Sequence, residues 1–148
     1  MGGMRRIDKI ILHCSATQEG KNIKTETIRK WHLKRGWRDI GYHFVVLLDG
    51  TVEEGRPMEM TGAHTKGHNY KSIGICYIGG LEKERGEDGE WIPKDTRTEA
   101  QKESLHDLLL QLKKDYPQAV VHGHNEFSSK ACPCFNAYEE YKEISELC

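Results

Sequence analysis

No stretch of this chain stays apolar for the about 20 residues that a helix needs to cross a bilayer, so no membrane partner is expected. A secretory leader is not expected either. Arg5, Arg6 and Lys9 are followed only by Ile10-Ile11-Leu12 before His13, too short an apolar centre for export, which predicts a protein that is cytoplasmic as synthesised. Charge of one sign is absent too. With 22 Lys and Arg against 23 Asp and Glu, the formal net charge of -1 offers no general attraction to phosphate backbones. Nucleic acid is therefore not an expected partner, although a local basic patch stays open. Nor is there a disulfide framework. The five cysteines, Cys14, Cys76, Cys132, Cys134 and Cys148, are odd in number and irregularly spaced, which without an export segment favours reduced thiols or metal ligation.

What is present is a globular balance, with 36% hydrophobic and 30% charged residues, which argues against disorder. A chain of 148 residues can bury about 68–70% of its unfolded surface around one core. No internal repeat or Ser/Pro-rich linker interrupts it, so residues 1–148 read as a single domain.

Ile7 to Cys14 is β-branched and aliphatic and runs into Ser15-Ala16-Thr17, the pattern of a buried strand with His13 at its end. From Thr25 the period turns helical, with Ile28 and Trp31 on one face and Gly36 placed to terminate it. Tyr42 to Leu48 and Thr51 to Glu54 flank Asp49-Gly50, a two-residue hairpin signal. Ser72 to Ile78, bounded by Gly79-Gly80, reads as a central strand, and Leu81 to Arg97 as a long irregular excursion around Trp91-Ile92. Thr98 and Gln101 form a capping box for a helix that places Leu105, Leu108, Leu109, Leu112 and Tyr116 on one face until Pro117. Ala119 to His122 is a short strand, and Asn136 with Glu139 can cap a last helix bearing Tyr138, Tyr141 and Ile144. These elements predict an α/β fold: a central mixed β-sheet flanked by about three α-helices.

Potential metal ligands gather where strands end: His13, the pair His122 and His124, and the pair Cys132 and Cys134. Alternation along a strand turns His122 and His124 to one face, so two or three imidazoles could meet there. A thiolate with two imidazoles and an open fourth position is an arrangement that suits catalytic zinc, which generates hydroxide near neutral pH and polarises a carbonyl. The spacing does not demand it. From His124 to Cys132 the backbone can reach up to roughly 27 Å or fold back on itself.

Each residue also has a plain structural reading. A strand-end histidine is commonly a hydrogen-bonded structural group, and Cys14 and Cys76 in apolar strands are simple small hydrophobes. Cys148 carries no argument. Cys132 and Cys134 straddle a proline, awkwardly close for a mutual disulfide. Tyr42 reads as a packed aromatic with a local hydrogen bond, or as a group facing a cleft; it and His43 must face opposite ways along a strand. Lys130 reads as a solvated loop charge, or as a cation that stabilises an oxyanion.

The runs Ile11-Leu12-His13-Cys14-Ser15-Ala16-Thr17, Gly36-Trp37-Arg38-Asp39-Ile40-Gly41-Tyr42-His43-Phe44, Gly62-Ala63-His64-Thr65, Asn69 with Ser72-Ile73-Gly74-Ile75, His124-Asn125-Glu126 and Lys130-Ala131-Cys132-Pro133 resemble, in order, the type-2 N-acetylmuramoyl-L-alanine amidases. That family takes in peptidoglycan recognition proteins and phage amidase endolysins, and the match runs from about residue 7 to residue 140.

The resemblance implies one catalytic zinc held by His13, His124 and Cys132, and it implies that the zinc lies at the strand ends in a surface groove. It implies Tyr42 as an orienting or proton-transferring group, Lys130 as oxyanion stabiliser and His64 as a groove-lining residue. The implied partner is peptidoglycan, the implied reaction hydrolysis of the amide between N-acetylmuramic acid and L-alanine, and the implied role that of a phage or prophage endolysin acting on the wall after release. No separate cell-wall-binding domain is expected, and a monomer is expected.

His122 and Cys134 depart from the family pattern and could join or replace the expected ligands. Two other functions are compatible with the fold. A non-catalytic peptidoglycan-binding recognition module is the alternative, against which Cys132 argues. A phage member of the family also binds its phage RNA polymerase through an amino-terminal arm; only Met1 to Leu12 precede His13 here, so that partner is not expected.

Overall fold

The computed structural model of the protein describes residues 5–147; Cys148 lies outside them. Its core is a five-stranded sheet ordered β4-β3-β5-β1-β7, built from β1 (Lys9–Cys14), β3 (Phe44–Val46), β4 (Val52–Glu54), β5 (Ser72–Tyr77) and β7 (Val120–Gly123). All pairings are parallel except β3 with β4, which makes the sheet mixed, as expected. β2 (Thr17–Gln18) and β6 (Gly80–Leu81) form a small parallel pair beyond the end of β1. Because β1 and β5 are buried on both faces, their sequences KIILHC and SIGICY read as near-continuous apolar runs rather than as alternations.

Helices cover both faces. Ile10, Leu12 and Cys14 of β1 join Ile73, Ile75 and Tyr77 of β5 against Leu105, Leu109 and Leu112 of α2 (Glu99–Asp115). Ala137 and Ile144 complete that layer from α3 (Ala137–Glu140) and α4 (Lys142–Ser145). The opposite face carries Val45 and Cys76 under Ile28 of α1 (Thr25–Lys34). By alternation along β1, His13 belongs to this α1 face.

Three expectations are corrected in detail. The hairpin loop is Leu48-Asp49-Gly50, three residues rather than two: Gly50 N–H donates to Leu47 O at 2.8 Å and Gly50 sits at φ +90°, a turn followed by a left-handed residue. The last helix is split into α3 and α4 at Tyr141 (φ −109°, ψ 20°), although the Asn136 side chain does accept from Glu139 N–H at 3.1 Å. Trp31 shares the α1 side with Ile28 but stays 41% exposed, because it borders a cavity rather than the core.

The capping box of α2 is present. Thr98 Oγ1 accepts from Gln101 N–H at 3.0 Å, and Gln101 Oε1 accepts from Thr98 N–H at 2.9 Å. The excursion after β6 folds back on itself, with Glu82 N–H donating to Ile92 O at 2.9 Å and Arg85 over the Trp91 ring at 4.9 Å. Among the described residues, no helix is long and apolar enough to cross a membrane.

Candidate active site

β1 is flanked by β5 and β7, so its carboxyl end lies inside the sheet rather than at its edge, and open α/β sheets offer a crevice at the carboxyl ends of their strands. His13 is there, 2% exposed. β7 runs parallel beside β1 with Ile11 opposite His122 and Leu12 opposite Gly123, and the chain then turns into a short 3-10 segment, His124–Glu126. That register brings the His124 ring to 4.6 Å from the His13 ring. The following loop returns Cys132 to the same point, where Cys14 N–H donates to its Sγ at 3.1 Å. Tyr77, at the end of β5, fixes this loop by donating from its hydroxyl to Pro133 O at 2.7 Å.

One potential ligand atom from each of His13, His124 and Cys132 lies within 4.8 Å of the others, a possible metal site. The donor set is one thiol and two imidazoles, which suits zinc, and three protein ligands is the number that leaves a position for water or substrate. His124 Nδ1 is buried with no hydrogen-bond partner among the described residues. An orphaned buried nitrogen of this kind calls for an occupant. Burial first, then the charges of His64, His124 and Lys130, hold His13 well below the ordinary histidine range; burial and then Lys130 lower His124. Both imidazoles are thereby kept in the neutral form that binds metals.

His122 and Cys134 are rival ligands by sequence, and the geometry separates them from this group. His122 lies on the same face as Ile11, but its Nδ1 is 2.8 Å from Glu126 Oε1 and its ring packs between Phe127 and Tyr138. Cys134 Sγ donates to Gly80 O at 3.3 Å.

The three residues border a cavity of about 360 Å³ together with Tyr42, His64 and Lys130, so the structure brings all six candidate residues to one place. Tyr42 is partly buried with its ring 5.1 Å from His13. Burial above all, and then the thiols of Cys76, Cys132 and Cys14, raise its hydroxyl well above the usual phenol range, which keeps the proton on. Lys130 is exposed at the rim.

Sequence reasoning missed the α1 wall of this cavity. Trp31, His32 and Arg35 line it, which is why Trp31 is left exposed. His32 lies four residues after buried Ile28, hence on the same helical face; a polar residue at that spacing was the available signal. Its Nδ1 accepts from Gly41 N–H at 2.9 Å, so α1 holds the loop that carries Tyr42.

Comparison with known proteins gives a consistent result. A family described as N-acetylmuramoyl-L-alanine amidase matches residues 3–135. The chain is 43% identical to the endolysin of Escherichia phage T7 over 140 residues, covering 95% of this chain and 88% of the endolysin. It is 41% identical to the endolysin of Klebsiella phage KP32, covering 94% and 87%. Among solved structures it is similar to the endolysin N-acetylmuramoyl-L-alanine amidase LysCS of Clostridium intestinale (TM-score 0.78, 28% identity, 99% of this chain and 88% of that one). It is also similar to the bumblebee peptidoglycan recognition protein SA (TM-score 0.71, 28% identity, 94% and 82%).

Proposed function

The chain belongs to the N-acetylmuramoyl-L-alanine amidase family and is an amidase of the phage-endolysin kind, and we propose that it works as a zinc enzyme on bacterial peptidoglycan with His13, His124 and Cys132 as ligands. The observation that carries this reading is the meeting of those three ligand atoms within 4.8 Å in a cavity also bordered by Tyr42 and Lys130. The bond cut is the amide between N-acetylmuramic acid and L-alanine.

When bound there, zinc supplies hydroxide at neutral pH and polarises the scissile carbonyl. The protein supplies the rest. Cys14 N–H holds the Cys132 sulfur in place, and burial keeps His13 and His124 neutral. Tyr42 retains its proton and orients the reacting groups by donating from its hydroxyl. Lys130 faces the negative charge that develops on the carbonyl oxygen as the amide is attacked, and a cation at that point stabilises the transition state more than the ground state. His64 lines the substrate groove. On this reading the protein is made in the cytoplasm and acts on the wall after release.

The test is release of free L-alanine amino termini from purified peptidoglycan, with and without a chelator and with zinc added back. Chelator-sensitive release restored by zinc is the expected result. Binding to peptidoglycan without release would overturn the catalytic reading in favour of a recognition module.

A further inference from the structure

We propose that His64, besides lining the groove, is a positioning residue for the metal site: it takes the outer N–H of His13 and so determines which nitrogen His13 turns to the metal. This rests on the metal reading above. His13 Nε2 lies 2.9 Å from His64 Nδ1 and 3.2 Å from Thr65 Oγ1. A neutral imidazole that ligates through one nitrogen carries its proton on the other, and the partner of that proton fixes the tautomer and the ring orientation. With Nε2 committed to this contact, Nδ1 is the nitrogen left for a metal.

The proton reaches His64 by one of two routes, directly or through the Thr65 hydroxyl, which is 3.0 Å from His64 Nδ1. Both routes make His64 Nδ1 an acceptor and put the His64 proton on Nε2, where Ser72 Oγ lies at 3.2 Å. A metal-bound histidine commonly leans on a carboxylate, a backbone carbonyl or water. Among the described residues no carboxylate bonds His13, so a neutral imidazole and a hydroxyl take that place and add no negative charge beside the Cys132 thiol.

The surroundings of His64 are shaped for this contact. Its ring lies against Gly74 of β5, where an added Cβ would sit 2.5 Å from Cδ2 and 2.6 Å from Cγ, too close for any other residue. Its main chain is pinned by Asn69 Oδ1, which accepts from the N–H groups of both His64 and Thr65 at 2.8 Å. Gly62 to Thr65, Asn69 and Ser72 to Gly74 are thus parts of one device whose output is the orientation of His13.

The experiment compares zinc retention by the wild-type protein, His64→Leu and His64→Asn in competition with a chromophoric chelator. It is accompanied by melting of the metal-free proteins and by nitrogen-15 spectra of the histidine rings. His64→Leu is expected to weaken zinc binding about 10- to 100-fold. His64→Asn, whose Oδ1 can stand where Nδ1 stands, should recover most of that loss, while the two metal-free variants melt alike. In the zinc-loaded wild type, the His13 proton should be on Nε2.

Leucine retaining zinc as tightly as the wild type, asparagine no better than leucine, or a His13 proton on Nδ1 would each overturn the inference. If His64→Leu does not fold, the ring spectra of the wild type and zinc retention by His64→Asn decide. A wild type that releases L-alanine yet holds no zinc overturns this inference and leaves the amidase reading standing. A wild type that holds zinc in the expected way but releases nothing does the reverse.

Discussion

The backbone N–H of Cys14 donates to the Sγ of Cys132 across 3.1 Å, so the residue that follows His13 on β1 holds the thiol brought in from 118 positions further along the chain. That contact fixes the direction from which the sulfur can be approached, and a thiolate is the form that ligates. The candidate site is therefore tied together by main chain as well as by side chains.

From that arrangement, Cys132→Ser should lose both zinc and activity, because a serine hydroxyl stays protonated at neutral pH and is a poor zinc ligand. Zinc content after dialysis, set beside L-alanine release, checks this. Cys134→Ser should keep both, since Cys134 Sγ turns to Gly80 O; loss of zinc in that variant would return Cys134 to the ligand set.

Lys130→Ala should separate binding of the metal from chemistry. Lys130 is exposed and is not one of the three ligands, so zinc content and melting temperature should match the wild type. Turnover should fall about 10²- to 10³-fold, the usual cost of removing one group that stabilises a developing oxyanion. An unchanged kcat would show that Lys130 is only a solvated rim charge.

Stability should drop in acid. Burial lowers His32 and His43 to about 4, and each accepts a backbone N–H at Nδ1, from Gly41 and Gly74 respectively. Both are therefore neutral in the fold. Below pH about 6.5 the unfolded chain takes up protons that these two folded histidines refuse, so stability falls as pH drops from about 6.5 to about 4 and then levels off for them. Each group contributes up to about 1.4 kcal/mol per pH unit across that window. Melting of the metal-free protein should fall across this window, with buried His13 and His64 adding to the slope, and His32→Asn, which keeps an acceptor near the Nδ1 position, should make it shallower; an identical slope would remove His32 from the account.

Much of this was legible in the residues. The apolar runs at Ile7–Cys14 and Ser72–Ile78 gave two interior strands, seen as Lys9–Cys14 and Ser72–Tyr77, because each is buried on both faces, and Thr98 with Gln101 gave the start of α2 to the residue. The gathering of His13, His124 and Cys132 was not derivable from spacing, since it depends on β7 entering beside β1 in one particular register and on a loop pinned by Tyr77. Resemblance supplied what periodicity could not. Neither source showed that His64 touches His13, because that contact joins a loop to a strand 51 positions away and leaves no periodic trace. The split of the last helix was also hidden, for its capping residue Asn136 looks the same whether one helix or two follow.

The Gln101 side chain yields the last prediction, about stability alone. Beyond the capping box, its Nε2 donates to Val46 O at 3.1 Å and to Ile78 O at 3.0 Å, so one fully buried amide joins the start of α2 to the ends of β3 and β5. Gln101→Ala leaves Ile78 O and Thr98 N–H without these partners, while Val46 O keeps the Ile78 N–H at 3.0 Å. A buried polar group left unpaired costs about 1–3 kcal/mol, and water can enter the space left behind for some of them, so a loss of about 2–4 kcal/mol is expected. For a chain of this size each kcal/mol moves the melting temperature by about 2–4 °C, which sets the drop at roughly 4–16 °C. Because α2 packs on the face of the sheet away from His13, zinc content and turnover of the folded fraction should stay at wild-type values. A drop within error of zero would mean that solvent replaces all of these bonds; a fall in turnover at temperatures where the variant is fully folded would mean that the ends of β3 and β5 govern the site.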